Sequence, residues 1–448
     1  MSAEPSALSI PAQDTGTAKG HLPWRSAIVV FLTFAFAYFL SALVRAVTAT
    51  LAPTLAQEFA LHARDLGLLA GGYFLGFAAM QLPLGNWLDR YGPRKVSLGF
   101  LGVAVIGCGV FSQAQGFGGL LAGRVLCGAG VSACLMAPLT GYRRWLEPTA
   151  QMRANSWMLM TGSLGMVAST LPVQWALPLV GWRPLFWGLA GLLGLAMLLI
   201  AWRVPQWQGT AGPQGAGAAR RDSAETAQQD TDLNPTEAKG YAVVWRHAYF
   251  QRLAPLAFFV YGGMVAVQTL WAGPWMQKVA GYTPLQAATG LFWINVTMLC
   301  TFWTWGMVSP WLLRKGWGAN RLMLWGLPLS LLVLLCIVLA GPRAGAGAWA
   351  LFCMTSSFVS LSQPAVALAF SQALAGRALS AFNLVIFAGV FVVQWGIGLA
   401  VDAFAALGLP VVTAFQASMA VYLGCNAAAY AWFVLQPQRH NARQTAHP

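Results

Sequence analysis

The chain has 448 residues, of which 8% are charged and 58% hydrophobic, and its 26 lysines and arginines against 12 aspartates and glutamates leave a formal charge of +14. A soluble domain carries about 25% charged residues, so the composition excludes a soluble enzyme and, with so much apolar content, a disordered chain. The seven cysteines (108, 127, 134, 300, 336, 353 and 425) all fall in apolar runs, where a thiol acts as a small hydrophobe; they imply no disulfide framework and no metal site.

In chain order, residues 1–20 read as a disordered cytoplasmic tail. Uncharged stretches then follow at Ser26–Val44 (resuming after Arg45 to Gln57), Leu66–Leu88, Val96–Gly123, Val125–Tyr142, Ala154–Trp182 and Pro184–Trp202. Residues 205–247 are polar, rich in Gly, Ala, Gln, Asp and Thr, and hold five of the 12 acids, a composition that buries no core and reads as a cytoplasmic linker with a short interfacial helix near Tyr241–His247. Six more stretches follow: Leu253–Gln277, Val279–Leu313, Leu322–Pro342, Ala344–Gly376, Ala378–Val401 and Ala403–Gln438. About 20 apolar residues in a helix cross a bilayer with every backbone group satisfied. The expected fold is therefore all-α: twelve transmembrane helices in two six-helix bundles, residues 21–204 and 248–437, with a cytoplasmic tail at 438–448. The first stretch is too long, and too far from the start, to read as a cleaved signal peptide.

The basic residues set the orientation. With the N-terminus inside, 20 of the 26 fall in inner segments and four (Arg64, Arg183, Lys278 and Arg343) in outer loops, which by the positive-inside rule puts both termini in the cytoplasm of an inner-membrane protein. The charge excess is thus mainly a topology signal and gives no support to a nucleic-acid partner. Internal repetition is visible as well: Arg153-Ala154-Asn155-Ser156 returns as Arg377-Ala378-Leu379-Ser380, and Gly165 and Gly389 follow at equal distance. Two duplicated halves with a site at their interface is a common carrier architecture.

Between the second and third stretches stands Gly85-Asn86-Trp87-Leu88-Asp89-Arg90-Tyr91-Gly92-Pro93-Arg94-Lys95. Gly85 allows close helix approach, Gly92 turns the chain, and Asp89 can bond a helix end or a neighbouring arginine. This segment resembles the cytoplasmic signature of the major facilitator superfamily. The resemblance implies a conformational latch made of Gly85, Asp89, Arg90, Gly92, Arg94 and Lys95 that holds the outward-open state. The matching loop of the second half, Trp311–Arg321, keeps Gly318 and Arg321 but has no acid, so the latch is expected on one side only. Gly123-Arg124-Val125-Leu126-Cys127-Gly128-Ala129-Gly130 resembles a second family motif, in which the arginine lies near the substrate or proton path. The chain is similar to bacterial members with an arginine in the first span, here Arg45, and a Leu270-Trp271-Ala272-Gly273-Pro274-Trp275 segment in the seventh. The drug-antiporter signature of span five is not matched by Gly162-Ser163-Leu164-Gly165, which counts against a multidrug exporter.

A charge at membrane depth normally faces protein interior or an aqueous cavity and marks function. Arg45 and Arg124 are the two bases within stretches, while Glu58, Asp65, Asp89, Glu147 and Asp402 sit only at the edges, where a structural role is expected. Forked guanidinium hydrogen bonds suit a small organic anion; the competing reading is snorkelling, or bonds to helix carbonyls. Gln81, Gln174, Gln268, Asn295, Asn383 and Gln394 are amides that need partners. Gln268 lies one turn before Trp271, and with Trp271, Trp275, Asn383 and Gln394 it forms the substrate-binding set expected from the second half.

The sequence therefore reads as a monomeric secondary carrier working by alternating access, with a small organic anion as the expected solute, a proton as the candidate coupling ion, and no cofactor. No Gly-x-x-x-x-Gly-Lys-Ser/Thr loop provides for ATP. The rivals are an exporter of amphipathic drugs or metabolites and, from other classes, a membrane enzyme or a sensor. All five histidines (21, 62, 247, 440 and 447) lie outside the spans, which disfavours an enzyme.

Overall fold

The computed structural model describes residues 22–206 and 241–436. The expected tails at 1–20 and 438–448, and most of the linker, lie outside the described residues. Among the described residues, ten helices are individually long and apolar enough to cross a membrane, and a pair bent by 44°, Arg153–Ala168 with Leu171–Val180, makes an eleventh. The twelfth emerges at Gly92. Its φ of 77° lies in the left-handed region and breaks the continuous helix Gln81–Ser112 in two. The part before it prolongs Ala63–Ala79 into span 2, and the part after it is span 3.

The spans are then Trp24–Glu58 (span 1), 63–91 (span 2), 93–112 (span 3), Phe117–Trp145 (span 4), 148–180 (span 5) and Trp182–Arg203 (span 6). The second half has Ala248–Lys278 (span 7), Pro284–Arg314 (span 8), Ala319–Ala340 (span 9), Ala346–Ala369 (span 10), Gln372–Ala406 (span 11) and Val411–Leu435 (span 12). Tyr241–Arg246 forms a short helix whose Val244 is fully buried, so the end of the linker packs against the second half.

Pairs of glycines hold the helices of each half together. A Cβ on Gly165 of span 5 would lie 2.2 Å from the Phe39 carbonyl oxygen of span 1, and one on Gly389 of span 11 would lie 2.2 Å from the Phe258 oxygen of span 7. The two repeat-related glycines thus make the same backbone-on-helix contact in the two halves, which is what a duplicated bundle requires.

The halves meet most tightly at the end away from the chain termini, here called the distal end. Span 2 packs along span 11, with the would-be Cβ of Gly67 2.4 Å from the Gln394 oxygen and that of Gly398 2.5 Å from the Ala63 oxygen. Deeper in, the Phe77 and Phe387 rings meet at 4.4 Å. At the terminus-bearing end, Ala133–Trp145 of span 4 packs on spans 1, 3 and 5, and Ser362–Ala369 of span 10 on spans 7, 9 and 11, each within its own half.

Candidate functional site

Arg45 is placed by span 4. Gly128 stands where a Cβ would come within 1.8 Å of the Tyr73 oxygen, and Gly76 where one would come within 2.1 Å of the Val125 oxygen, so spans 2 and 4 touch backbone to backbone. That contact carries Arg124 into the heart of the first half, where it is fully buried. Its Nη1 donates to the Val44 carbonyl at 2.7 Å and its Nη2 to the Arg45 carbonyl at 3.3 Å, while the guanidinium lies 4.9 Å from the centre of the Tyr73 ring. Arg124 therefore grips the backbone of span 1 at the residue that carries the other arginine, which is the carbonyl-bonding arrangement foreseen as the competing reading.

Arg45 itself is partly exposed. Its guanidinium sits beside the Tyr38 and Tyr73 side chains, and its buried Nε has no hydrogen-bond partner. Tyr38 precedes Arg45 by two helical turns on the same face. Tyr261 of span 7 faces both Tyr38 and Arg45 from the other half. Tyr261 closes a π-helical turn, Leu256–Tyr261, and Gln268 and Trp271 lie in a second one, Val267–Trp271. Such turns reset the facing of the residues after them and are frequent at functional sites.

The expected contributors from the second half are only partly brought together. Gln268 donates to the Asn295 Oδ1 at 2.9 Å, and Asn295 donates to the Leu291 carbonyl at 2.9 Å. Trp271 is fully buried and donates its indole N–H to the Gln394 carbonyl at 3.0 Å. The Gln394 amide nitrogen reaches Thr269 Oγ1 at 2.9 Å, and its buried Oε1 is without a partner. Trp275 is fully buried against Trp349 and bonds the Ala344 carbonyl at 2.9 Å, so it is packed into the second half rather than exposed to the central space. Asn383 stands apart and accepts from Gln363 at 2.7 Å. No group of three or more metal-ligating side chains occurs among the described residues.

In the segment from Gly85 to Lys95, Asp89 is exposed and has no hydrogen-bond or ion-pair partner among the described residues. A Cβ on Gly85 would meet nothing within 4 Å, so this glycine makes no close helix contact in this conformation. Arg90 lies over the Tyr91 ring at 5.3 Å, Arg94 donates to the Ala201 carbonyl of span 6, and Lys95 is exposed. A cleft of about 610 Å³ opens near the terminus-bearing end, between Leu22, Phe31 and Trp145. It is lined by residues of the first half alone, with the exposed Trp24 and Trp157 among them, so it is not the space between the halves.

Sequence reasoning did not single out Tyr38, Tyr73 or Tyr261. The spacing of Tyr38 from Arg45 was a readable signal, whereas Tyr261 is brought in only by the packing of the two halves.

Comparison with known proteins supplies the wider setting. The family model described as Major Facilitator Superfamily matches residues 34–394. Over 144 residues the chain is 26% identical to the hexuronate transporter of Escherichia coli strain K12, covering 32% of this chain and 33% of that protein. Over 188 residues it is 29% identical to the 4-hydroxybenzoate transporter PcaK of Pseudomonas aeruginosa, covering 41% of this chain and 40% of that one. The chain thus spans between a third and two fifths of the length of these curated relatives. Among solved structures, a bacterial homolog of the human lysosomal transporter Spinster, in an inward-facing and unoccupied conformation, superposes with a TM-score of 0.73 at 16% identity, over 93% of this chain and 98% of that one.

Proposed function

This chain belongs to the major facilitator superfamily, and from that premise we propose that it is a secondary transporter that carries a small organic anion by alternating access. It is a multi-pass helical membrane protein. The observation that carries the reading is the state of Arg45: a guanidinium within span 1, flanked by phenols, with a buried and unpartnered Nε, while the carboxylates of the spans stand only at their edges. A charge left so is costly unless a ligand completes it. An incoming carboxylate supplies both the missing charge and the missing acceptor. Hexuronate and 4-hydroxybenzoate, named for the relatives, are both carboxylates, and they support the same solute class.

In this reading Arg124 positions and does not bind, since both of its terminal nitrogens are spent on span 1 carbonyls. Gln268, hydrogen-bonded to Asn295, is the amide assigned in this reading to meet the solute from the second half. Trp271, Trp275 and Gln394 spend their donors on partners within the second half, and Asn383 belongs to a separate pair with Gln363. With every Asp and Glu at a span edge or outside the spans, a co-transported proton would travel on the solute's own carboxyl group. The excess of lysine and arginine in the segments on the terminus side supports a cytoplasmic location for both termini in the inner membrane.

The test is thermal stabilisation of the purified protein by matched panels of carboxylates, their neutral amides and alcohols, sugars, amino acids and cationic drugs. A ligand at about 100 times its Kd stabilises the fold by roughly 2.7 kcal/mol, so one or more carboxylates should raise the unfolding temperature while their amides do not. Stabilisation by neutral or cationic compounds alone would contradict the proposal.

A further inference from the structure

Asp402, at the distal end of span 11, reaches across to the other half. Its Oδ1 accepts from the Ala63 backbone N–H at 3.2 Å and its Oδ2 from that of Arg64 at 3.0 Å. Ala63 is the first residue of the span 2 helix, so its amide is among those no helical carbonyl can satisfy. The positive end of the helix dipole points at the same place. One carboxylate of the second half thus occupies the free N-terminus of a helix of the first half in a bidentate manner.

The surroundings match this role. The Arg64 Nε lies 3.9 Å from the Asp402 carboxylate, and Asp65 and His62 complete the local charges: Asp65 accepts from the His62 backbone N–H at 3.0 Å and so is occupied within its own half. Immediately inward, Gly398 and Gly67 let the two helices touch, and either one would clash with the opposite backbone if it carried a Cβ. The other acid near a distal loop, Glu58, bonds Trp182 at 2.6 Å and Arg183 at 2.6 Å, both in its own half. At the opposite end of span 2, Asp89 is exposed and unpartnered among the described residues.

We infer that Asp402 is the latch of the distal gate: its hydrogen bonds to the start of span 2 hold the halves together at that end, and they must break each time the site opens there. The edge acid expected to be merely structural therefore sets the balance between the two access states. The inference rests on the alternating-access reading but not on the nature of the solute, and it is tested without one.

Two variants remove the latch from opposite sides. Asp402→Asn keeps the size of the side chain and removes its charge. Ala63→Pro removes one donor at the first helical position, where proline is tolerated, after His62 in an extended conformation that suits a following proline. Spin labels at Gln113 and Leu407, both exposed at the distal end of opposite halves, report the gap by pulsed electron resonance in a background with the exposed Cys300 and Cys336 changed to alanine. Asp402→Asn should raise the ratio of long to short distances by roughly tenfold, since hydrogen bonds to a charged group are replaced by weaker ones. Ala63→Pro should move the same ratio in the same direction by less. Distance distributions that superpose on the parent in both variants would overturn the inference. So would a shift toward shorter distances. If the latch result holds and no carboxylate binds, only the solute assignment fails; if carboxylates bind and the distances do not move, only the latch fails.

Discussion

Replacing Arg45 with alanine should weaken the affinity for a carboxylate solute by roughly 10- to 150-fold, the equivalent of the ~1.5–3 kcal/mol carried by a hydrogen bond to a charged group. Arg45→Lys should keep part of the attraction and lose the forked geometry, so its affinity should fall between the two. The folded yield of Arg45→Ala should hold, because the arginine is partly exposed and its Nε has no partner in the free protein. Titration of the purified variants by isothermal calorimetry reads the effect directly. Equal affinities for all three proteins would mean that Arg45 only reaches toward the interface and that recognition lies elsewhere.

Gly128→Val should have its effect on the fold. The first atom of the new side chain would fall 1.8 Å from the Tyr73 oxygen, and the backbone there has no alternative rotamer to adopt. Spans 2 and 4 must then separate, which opens the contact that holds Arg124 on the span 1 carbonyls. Overpacking of a tight core costs about 1–3 kcal/mol and occasionally more, a large share of the roughly 5–15 kcal/mol that keeps a protein folded. Size-exclusion chromatography of the detergent-extracted protein, followed by its unfolding temperature, should show a reduced monodisperse peak and an earlier transition. The exposed Gly347, with nothing within 4 Å of its would-be Cβ, is the control position, and Gly347→Ala should leave both unchanged.

How far the sequence could be read depended on whether the decisive partner was near in the chain. The spans follow from local composition, and the turn at Gly92 follows from its place between two apolar runs, with its φ of 77° as the physical reason for glycine there. The duplication follows from Gly165 and Gly389, which make the same helix contact in the two halves. Arg45 and Arg124 are conspicuous in the sequence as the two charges that interrupt the apolar stretches. What separates them was not legible: Arg124 spends its donors on carbonyls 79 and 80 residues away, and Arg45 does not. The two tryptophans of span 7 looked like stacking surfaces, yet Trp271 finds its acceptor 123 residues on and Trp275 its own 69 residues on, and both are sealed into the second half. Asp402 was read as an ordinary edge acid, because nothing near it in sequence reveals that residue 63 lies across the gate, 339 positions earlier.

The central claim is that an anion is what Arg45 recognises and what the protein moves. Counterflow in proteoliposomes tests it most directly: vesicles loaded with an excess of an unlabelled carboxylate found to stabilise the protein, diluted into a trace of the same compound carrying label. Transient accumulation of label is predicted for the parent protein, together with none for the neutral amide of the same acid and none for Arg45→Ala at solute concentrations well below its weakened Kd. Accumulation of the amide as fast as the acid, or unchanged counterflow in Arg45→Ala, would contradict it.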